Sequence, residues 1–261
     1  MAIMTTSENI LIKNHGNGRI DLTINRADKH NALSRCVLAD LAQAVTAQAQ
    51  YPQTLFVVIQ GAGNRYFAAG GDLVDLSSVR SPEATKLMSD EARAALDTIR
   101  NCEVPVIACL NGDAIGGGAE LSLACDMRVM TSTARIGYIH ARLAITPAWG
   151  GGTDLCNLIG SARALRMMTR GEMIPADLAL QWGLADAVLN DGIDGQDMQD
   201  FLAPLLQRSG TIMRCLKRQT VAARQGYSYA ERREAEQQHL IETWTHEDHW
   251  NVADHILSKN R

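Results

Sequence analysis

Ile107-Ala108-Cys109-Leu110, Asn111-Gly112-Asp113-Ala114-Ile115, Gly116-Gly117-Gly118-Ala119-Glu120 and Leu121-Ser122-Leu123-Ala124-Cys125-Asp126 form one continuous stretch. The apolar run after Pro105 reads as a buried strand, Asn111-Gly112 and the triple glycine as a tight turn, and Leu121, Leu123 and Ala124 as the start of a helix. The first amides of a helix lack internal partners and sit at the positive end of its dipole, and glycine lets a ligand reach them. Such amides hold a phosphate, or an oxyanion that develops during a reaction. No Lys-Ser or Lys-Thr follows these glycines, as a nucleotide loop requires, whereas the carboxylate Glu120 does. Glu120 lies three residues beyond Gly117, on the same helical face. The pattern points to an oxyanion donor beside an acid or base; its plain structural alternative is a close-packed turn with an ordinary first-turn carboxylate.

Outward from this stretch the chain alternates strands, glycine loops and helices. Asn9 to Asn14 and Arg19 to Asn25 flank His15-Gly16-Asn17-Gly18 and predict a hairpin. Ser34 is positioned to cap a helix bearing Val37, Leu38, Leu41 and Val45 on one face, and Leu55 to Gln60 returns as a buried strand. That strand empties into a second glycine loop, Gly61 to Leu73, and Ser81-Pro82-Glu83 opens a helix through Leu87, Leu96 and Ile99. Met127 to Met130, Arg135 to Tyr138 and Asp186 to Leu189 read as strands. A helix ends at Gly160, another is capped by Ser161, and a third runs from Pro175 to Trp182. From Gly195 onward the pattern is helical. The expected class is α/β, with a core over residues 1–194 and a helical C-terminal region over 195–261.

The 261 residues carry a net charge of -4, without basic runs, which gives no reason to expect nucleic acid. No apolar run is long enough to span a bilayer, and Met1 to Ser7 lacks the charged and apolar regions of a signal peptide, so the expectation is a cytoplasmic protein. The six cysteines show no Cys-x-x-Cys pair, and several sit in apolar runs as small hydrophobes. His239, His246, His249 and His255 gather in the tail, with His246 and His249 spaced for one helical face; no carboxylate and cysteine framework completes a metal site, and none is expected. Trp244 and Trp250 there suggest burial against a neighbouring subunit.

Three separated segments coincide with one known pattern: Asn25-Arg26-Ala27-Asp28-Lys29-His30-Asn31-Ala32-Leu33, Phe67-Ala68-Ala69-Gly70-Gly71-Asp72-Leu73, and Gly116 to Leu121 with Ala124-Cys125-Asp126. Gly160 to Ala164 and Ala179 to Leu184 match as well. The chain resembles the crotonase, or enoyl-CoA hydratase/isomerase, superfamily over almost its whole length. The resemblance implies a spiral of β-β-α turns, C-terminal helices that build a homotrimer or a dimer of trimers, and an acyl-CoA thioester substrate, with coenzyme A as part of that substrate and no separate cofactor. It implies that the amides of Gly71 and Gly117 hold the thioester oxygen. It places the coenzyme A contacts at Arg26, Lys29, Ala32, Leu33, Ala69, Gly70, Asp72 and Leu73; Asp72 also suits a helix cap.

Hydratases of this superfamily carry two glutamates around a water. The first matches Glu120; the second falls at His140. Histidine shuttles a proton near neutral pH but does not reproduce a paired-carboxylate water site. The segment from Ile139 to Gly151 looks more like the branch that decarboxylates ethylmalonyl-CoA and methylmalonyl-CoA, chemistry that reaches the same enolate without a second carboxylate. The expected function is a lyase of this kind, with Glu120 and His140 catalytic and their division of roles open. Arg142 either pairs locally or meets a substrate carboxylate. The alternatives are a hydratase or double-bond isomerase, and a non-catalytic acyl-CoA-binding subunit.

Overall fold

The computed structural model describes residues 3–259; Met1 and Ala2 of the N-terminal stretch read for targeting, and Asn260 and Arg261 of the helical tail, lie outside the described residues. Strands β1 (Ile3–Ser7), β2 (Ile10–Asn14) and β3 (Arg19–Ile24) form an antiparallel meander, the last two being the predicted hairpin. Helix α1 (Arg35–Ala49) starts where Ser34 accepts a hydrogen bond from the Val37 amide and buries Val37, Leu38, Leu41 and Val45, as its spacing predicts.

Three β-β-α turns follow: β4 (Phe56–Gly61), β5 (Tyr66–Ala68) and α2 (Pro82–Arg100); β6 (Val106–Leu110), β7 (Asp113–Ile115) and α3 (Gly117–Ala124); β8 (Met127–Thr131), β9 (Arg135–Gly137) and α4 (Gly151–Ile159). Next come α5 (Ser161–Arg170), β10 (Met173–Pro175), α6 (Ala176–Trp182), β11 (Ala187–Leu189), α7 (Gln196–Leu206), α8 (Gly210–Arg224), α9 (Tyr229–Trp244) and α10 (Glu247–Lys259). The first strand of each turn joins a seven-stranded sheet, β1-β2-β3-β4-β6-β8-β11, parallel from β3 onward. The second strand of each turn joins a smaller sheet, β10-β9-β7-β5. This is the expected α/β spiral. Ser161 is not the cap of α5: Gly160, at φ +80°, precedes the helix without a side-chain bond.

The central strands are apolar on both faces because each face meets a different core. Val57 and Ile59 of β4 and Val106, Ala108 and Leu110 of β6 point into the main core beneath α1 to α6. Phe56, Val58, Ile107 and Cys109 point the other way, against Met198 and Leu202 of α7 and Met213 of α8. Burial pushes the thiols of Cys109 and Cys125 up to about 12, as suits cysteines that pack as hydrophobes. In contrast α9 and α10 bury no residue, and Leu240, Ile241, Trp244, Trp250 and Ile256 stand exposed on them. His246 falls in the joint between those helices rather than sharing a helical face with His249.

Helix α3 carries the decisive glycines, and α8 grips its far end. Arg224 donates to the carbonyls of Ala124 and Cys125 at 3.2 and 3.0 Å, satisfying helix-end acceptors. Lys217, 2% exposed, donates to both carboxylate oxygens of Asp126 at 2.6 and 2.7 Å and to the Arg100 carbonyl at 3.0 Å. Asp126 in turn accepts from the Val106 amide at 2.8 Å, so one ion pair fastens α2, β6, α3 and α8. Removing one partner of a buried pair strands the other charge. Lys217→Ala is expected to cost about 3 kcal/mol, read as a lower urea midpoint with an unchanged slope. A change below about 0.5 kcal/mol would show that the clamp is dispensable.

Candidate active site

Two buried asparagines tie the glycine loops together. Asn111, just after β6, accepts from the Gly61 amide at 2.9 Å and donates to the carbonyls of Gly61 and Gly63 at 2.8 and 2.6 Å. Asn31 donates to the carbonyls of Ala62 and Tyr66 at 3.0 and 2.7 Å and accepts from the Arg26 amide at 3.1 Å. The loop bearing Gly70 and Gly71 is thereby pressed against the start of α3: a Cβ on Gly70 would lie 2.9 Å from the Ile115 carbonyl and 3.4 Å from the Gly117 nitrogen. Gly116 turns the chain into α3 at φ +56°, a conformation that favours glycine. Neither the Gly71 nor the Gly117 amide donates to an acceptor among the described residues. The structure therefore brings together the two glycines that the sequence places 46 positions apart.

Glu120 sits one turn into α3 at 1% exposure. Its Oε2 accepts from the amides of Trp149 and Gly151 at 2.9 and 3.0 Å, and its Oε1 lies 3.2 Å from His140 Nε2. A buried carboxylate requires such partners. His140 begins a short 3-10 helix, His140–Leu143, and its Nδ1 is buried without a partner among the described residues. The Tyr138 hydroxyl donates to the Gly151 carbonyl at 2.8 Å. Burial, with the charge of Glu120 nearby, pushes that phenol well above its ordinary value, so it stays a donor. The two predicted catalytic side chains thus touch, beside Gly116, whose Cβ would lie 3.8 Å from His140 Nε2.

Trp149 is the partner that sequence reasoning misses. Its ring, 7% exposed, lies on both loops: a Cβ on Gly117 would overlap Cζ3 and lie 2.6 Å from Cη2, and one on Gly71 would lie 3.6 Å from Cη2. Gly151 is forced as well, since its Cβ would lie 2.6 Å from Glu120 Cβ. The available signal is the crowding of Pro147, Trp149 and three glycines into six residues ahead of a helix, which marks a constrained approach rather than a flexible link.

A groove of about 600 Å³ runs up to Gly71. Arg26, Lys29, Ala32, Ala69, Asp72 and Leu73, six of the residues proposed to contact coenzyme A, line it. Leu33 and Gly70 lie behind it. Leu33 is 1% exposed and serves through its backbone, donating to the Gly70 carbonyl at 2.8 Å and accepting from the Asp72 amide at 3.1 Å. Arg26 is engaged, donating to Asp72 Oδ2 at 2.9 Å and to the Ala32 carbonyl at 2.6 Å. Lys29 is exposed. Burial pushes Asp72 up, but Arg26 and the amides of Asp75 and Val74 outweigh it and hold the carboxyl below its ordinary range. Arg142 forms no ion pair among the described residues; its stem packs on Gly171, whose Cβ would lie 3.1 Å from Arg142 Cγ. No group of three or more His, Cys, Asp or Glu suited to a metal is found among the described residues.

A family model described as Enoyl-CoA hydratase/isomerase matches residues 14–254. The chain belongs to the enoyl-CoA hydratase/isomerase family. An ethylmalonyl-CoA decarboxylase of Xenopus tropicalis is 28% identical over 80% of this chain and 70% of its own length. A crotonyl-CoA hydratase of Syntrophomonas wolfei is 34% identical over 70% of this chain and 69% of its own. The crystal structure of an enoyl-CoA hydratase from Bacillus anthracis, 27% identical, matches with a TM-score of 0.88 over 96% of both chains. As a crotonase-family member the protein is an acyl-CoA-processing enzyme.

The overlap between Gly117 and the indole generates a measurable coupling. Gly117→Ala is expected to cost about 1–3 kcal/mol by overpacking. In a double-mutant cycle with Trp149→Ala, thermal or urea unfolding should return part of that loss, because the larger cavity accepts the methyl group. Strictly additive effects would mean that the ring does not constrain Gly117.

Proposed function

We propose that this enzyme decarboxylates a 2-alkylmalonyl-CoA. The observation that carries the reading is the Glu120–His140 contact at 3.2 Å beside two amides without internal partners, one carboxylate and one imidazole where water addition uses two carboxylates. The thioester oxygen accepts from the Gly71 and Gly117 amides. The bond from C2 to the carboxylate breaks, carbon dioxide leaves, and its electron pair passes into the thioester enolate. Each amide donor is worth about 3 kcal/mol as charge gathers on that oxygen. A proton from the Glu120–His140 pair then reaches C2 and leaves a saturated acyl-CoA. Both amides on Oε2 leave only Oε1, shared with His140, to take part, so the pair acts as a unit. The enolate needs no further cofactor, coenzyme A being part of the substrate.

Relatives named as ethylmalonyl-CoA decarboxylases support this reading, while the crotonyl-CoA hydratase relative supports a second, water addition through the same enolate. Purified enzyme is expected to release carbon dioxide from ethylmalonyl-CoA or methylmalonyl-CoA faster than it hydrates crotonyl-CoA. Glu120→Ala and His140→Ala should each lower that release by about 10²–10⁴-fold. Efficient hydration without carbon dioxide release would replace the first reading with the second, and unchanged turnover in Glu120→Ala would remove Glu120 from the chemistry.

The same proposal includes a homotrimer or a dimer of trimers in the cytoplasm. Six free cysteines fit a reducing compartment, and no described helix is long and apolar enough to cross a membrane. The apolar faces that α9 and α10 leave exposed, Leu240, Trp244 and Trp250 among them, suit burial against further copies. Light scattering after size exclusion is expected to give three or six times the 28.4 kDa chain, and Trp250→Glu to lower that mass. A monomer at micromolar concentration would exclude this assembly.

A further inference from the structure

We propose that the Trp149 indole sets the length of acyl group this enzyme accepts. The inference rests on the reading that Gly71 and Gly117 hold the thioester oxygen, and it names the residue that selects among thioesters there. The groove that begins at Lys29 and Ala32 passes Ala69 and reaches Gly71, but Gly117 is not part of its wall. The indole stands between the two, with Cη2 and Cζ2 3.6 and 3.7 Å from a Cβ position on Gly71 and its outer edge against Gly117. An acyl chain attached to a carbonyl held by both amides meets this ring within its first carbons.

The ring is a fixed wall. The Trp149 amide donates to Glu120 at 2.9 Å, and its carbonyl accepts from Arg100 at 3.1 Å. Arg100 is itself buried and bonded to Asp154 at 2.9 Å. The preceding carbonyl, of Ala148, accepts from Ser89 and Arg93 of α2 at 3.1 and 2.7 Å. Its backbone is held from α2 and α3 together, and the residue, 7% exposed, is packed as a core side chain. An apolar wall at this distance suits a short alkyl branch and excludes a long chain.

The test measures affinity by calorimetry for butyryl-, hexanoyl- and octanoyl-CoA, saturated thioesters that carry no carboxylate to lose. Wild-type affinity should fall about tenfold or more from butyryl- to octanoyl-CoA. Trp149→Ala should abolish or reverse that fall, each newly buried methylene adding about fourfold in affinity. Trp149→Phe, which keeps one aromatic ring and carries the test if the alanine variant does not fold, should give an intermediate profile. The same length profile in wild type and folded variants would overturn the assignment. So would a wild type that binds none of the three thioesters, which would also overturn the thioester reading of the glycines. The profile is read without turnover. A wild type that binds short thioesters selectively but releases no carbon dioxide would therefore count against the decarboxylation alone.

Discussion

The carboxylate of Glu120, held between the amides of Trp149 and Gly151, is the contact on which this site depends. A carboxylate at 1% exposure is tolerable only with donors in place, and hydrogen bonds to a charged acceptor are the stronger kind. Here the donors lie 29 and 31 residues further along the chain, in the loop before α4 and at its first residue. Satisfying them draws that loop onto α3, which is why Gly151 has no room for a side chain and why the Trp149 ring settles on Gly117. One electrostatic requirement thus fixes the position of the proposed acid or base, the indole beside it and the approach to the proposed oxyanion amide.

The larger fold serves to hold α3 in that position. All eight residues of α3 are buried, so the helix has no solvent face and depends on its ends. At its start, a Cβ on Gly118 would overlap the Ala68 carbonyl of β5, and the Gly116 amide donates to the Gly137 carbonyl of β9 at 2.8 Å. At its far end the carbonyls of Ala124 and Cys125 are taken by Arg224 of α8. The small sheet, the glycine loops and α8 therefore support the same eight residues, and the first helical amide is left without an acceptor among the described residues.

What the sequence makes legible follows the range of the interactions involved. The cap at Ser34 and the strand near Leu55 to Gln60 are local patterns with local causes and stand where they are read, whereas the helix read from Leu121 already begins at Gly117, so only Gly116 of the triple glycine is turn. Of the five three-residue strands, β9 and β11 fall in segments read as strands, whereas β5 and β7 lie inside glycine-rich stretches, so Tyr66–Ala68 and Asp113–Ile115 read as loop and turn, and β10 goes unread. Leu33 and Gly70 lie in the segments expected to contact coenzyme A but contribute backbone rather than surface, a distinction that depends on the Leu33–Gly71 bridge and on no property of either residue. Arg26 is expected among the coenzyme A contacts with no sign of its own partner, because Asp72 lies 46 positions away. Trp149 is the largest omission: an aromatic residue in a glycine-rich loop carries no local signal of the carboxylate that its amide will meet.

The placement of His140 bears on which reaction suits such a site. Its Nε2 faces Glu120 Oε1, while its Nδ1 is buried without a partner among the described residues, so Nε2 is the nitrogen that meets the carboxylate. Glu120 Oε2 is likewise committed to two amides, leaving Oε1 as the carboxylate's one open acceptor. Two groups joined through a single oxygen and a single nitrogen are suited to passing one proton. Water addition moves one proton of the attacking water to C2 while its oxygen joins C3, so the water has to be held and polarised throughout. Replacing a carboxyl group by hydrogen requires one proton at C2 after carbon dioxide has left. On the proposed reading, the economy of donors and acceptors around Glu120 matches the second requirement, and the apolar indole beside the amides keeps water from competing for the enolate oxygen.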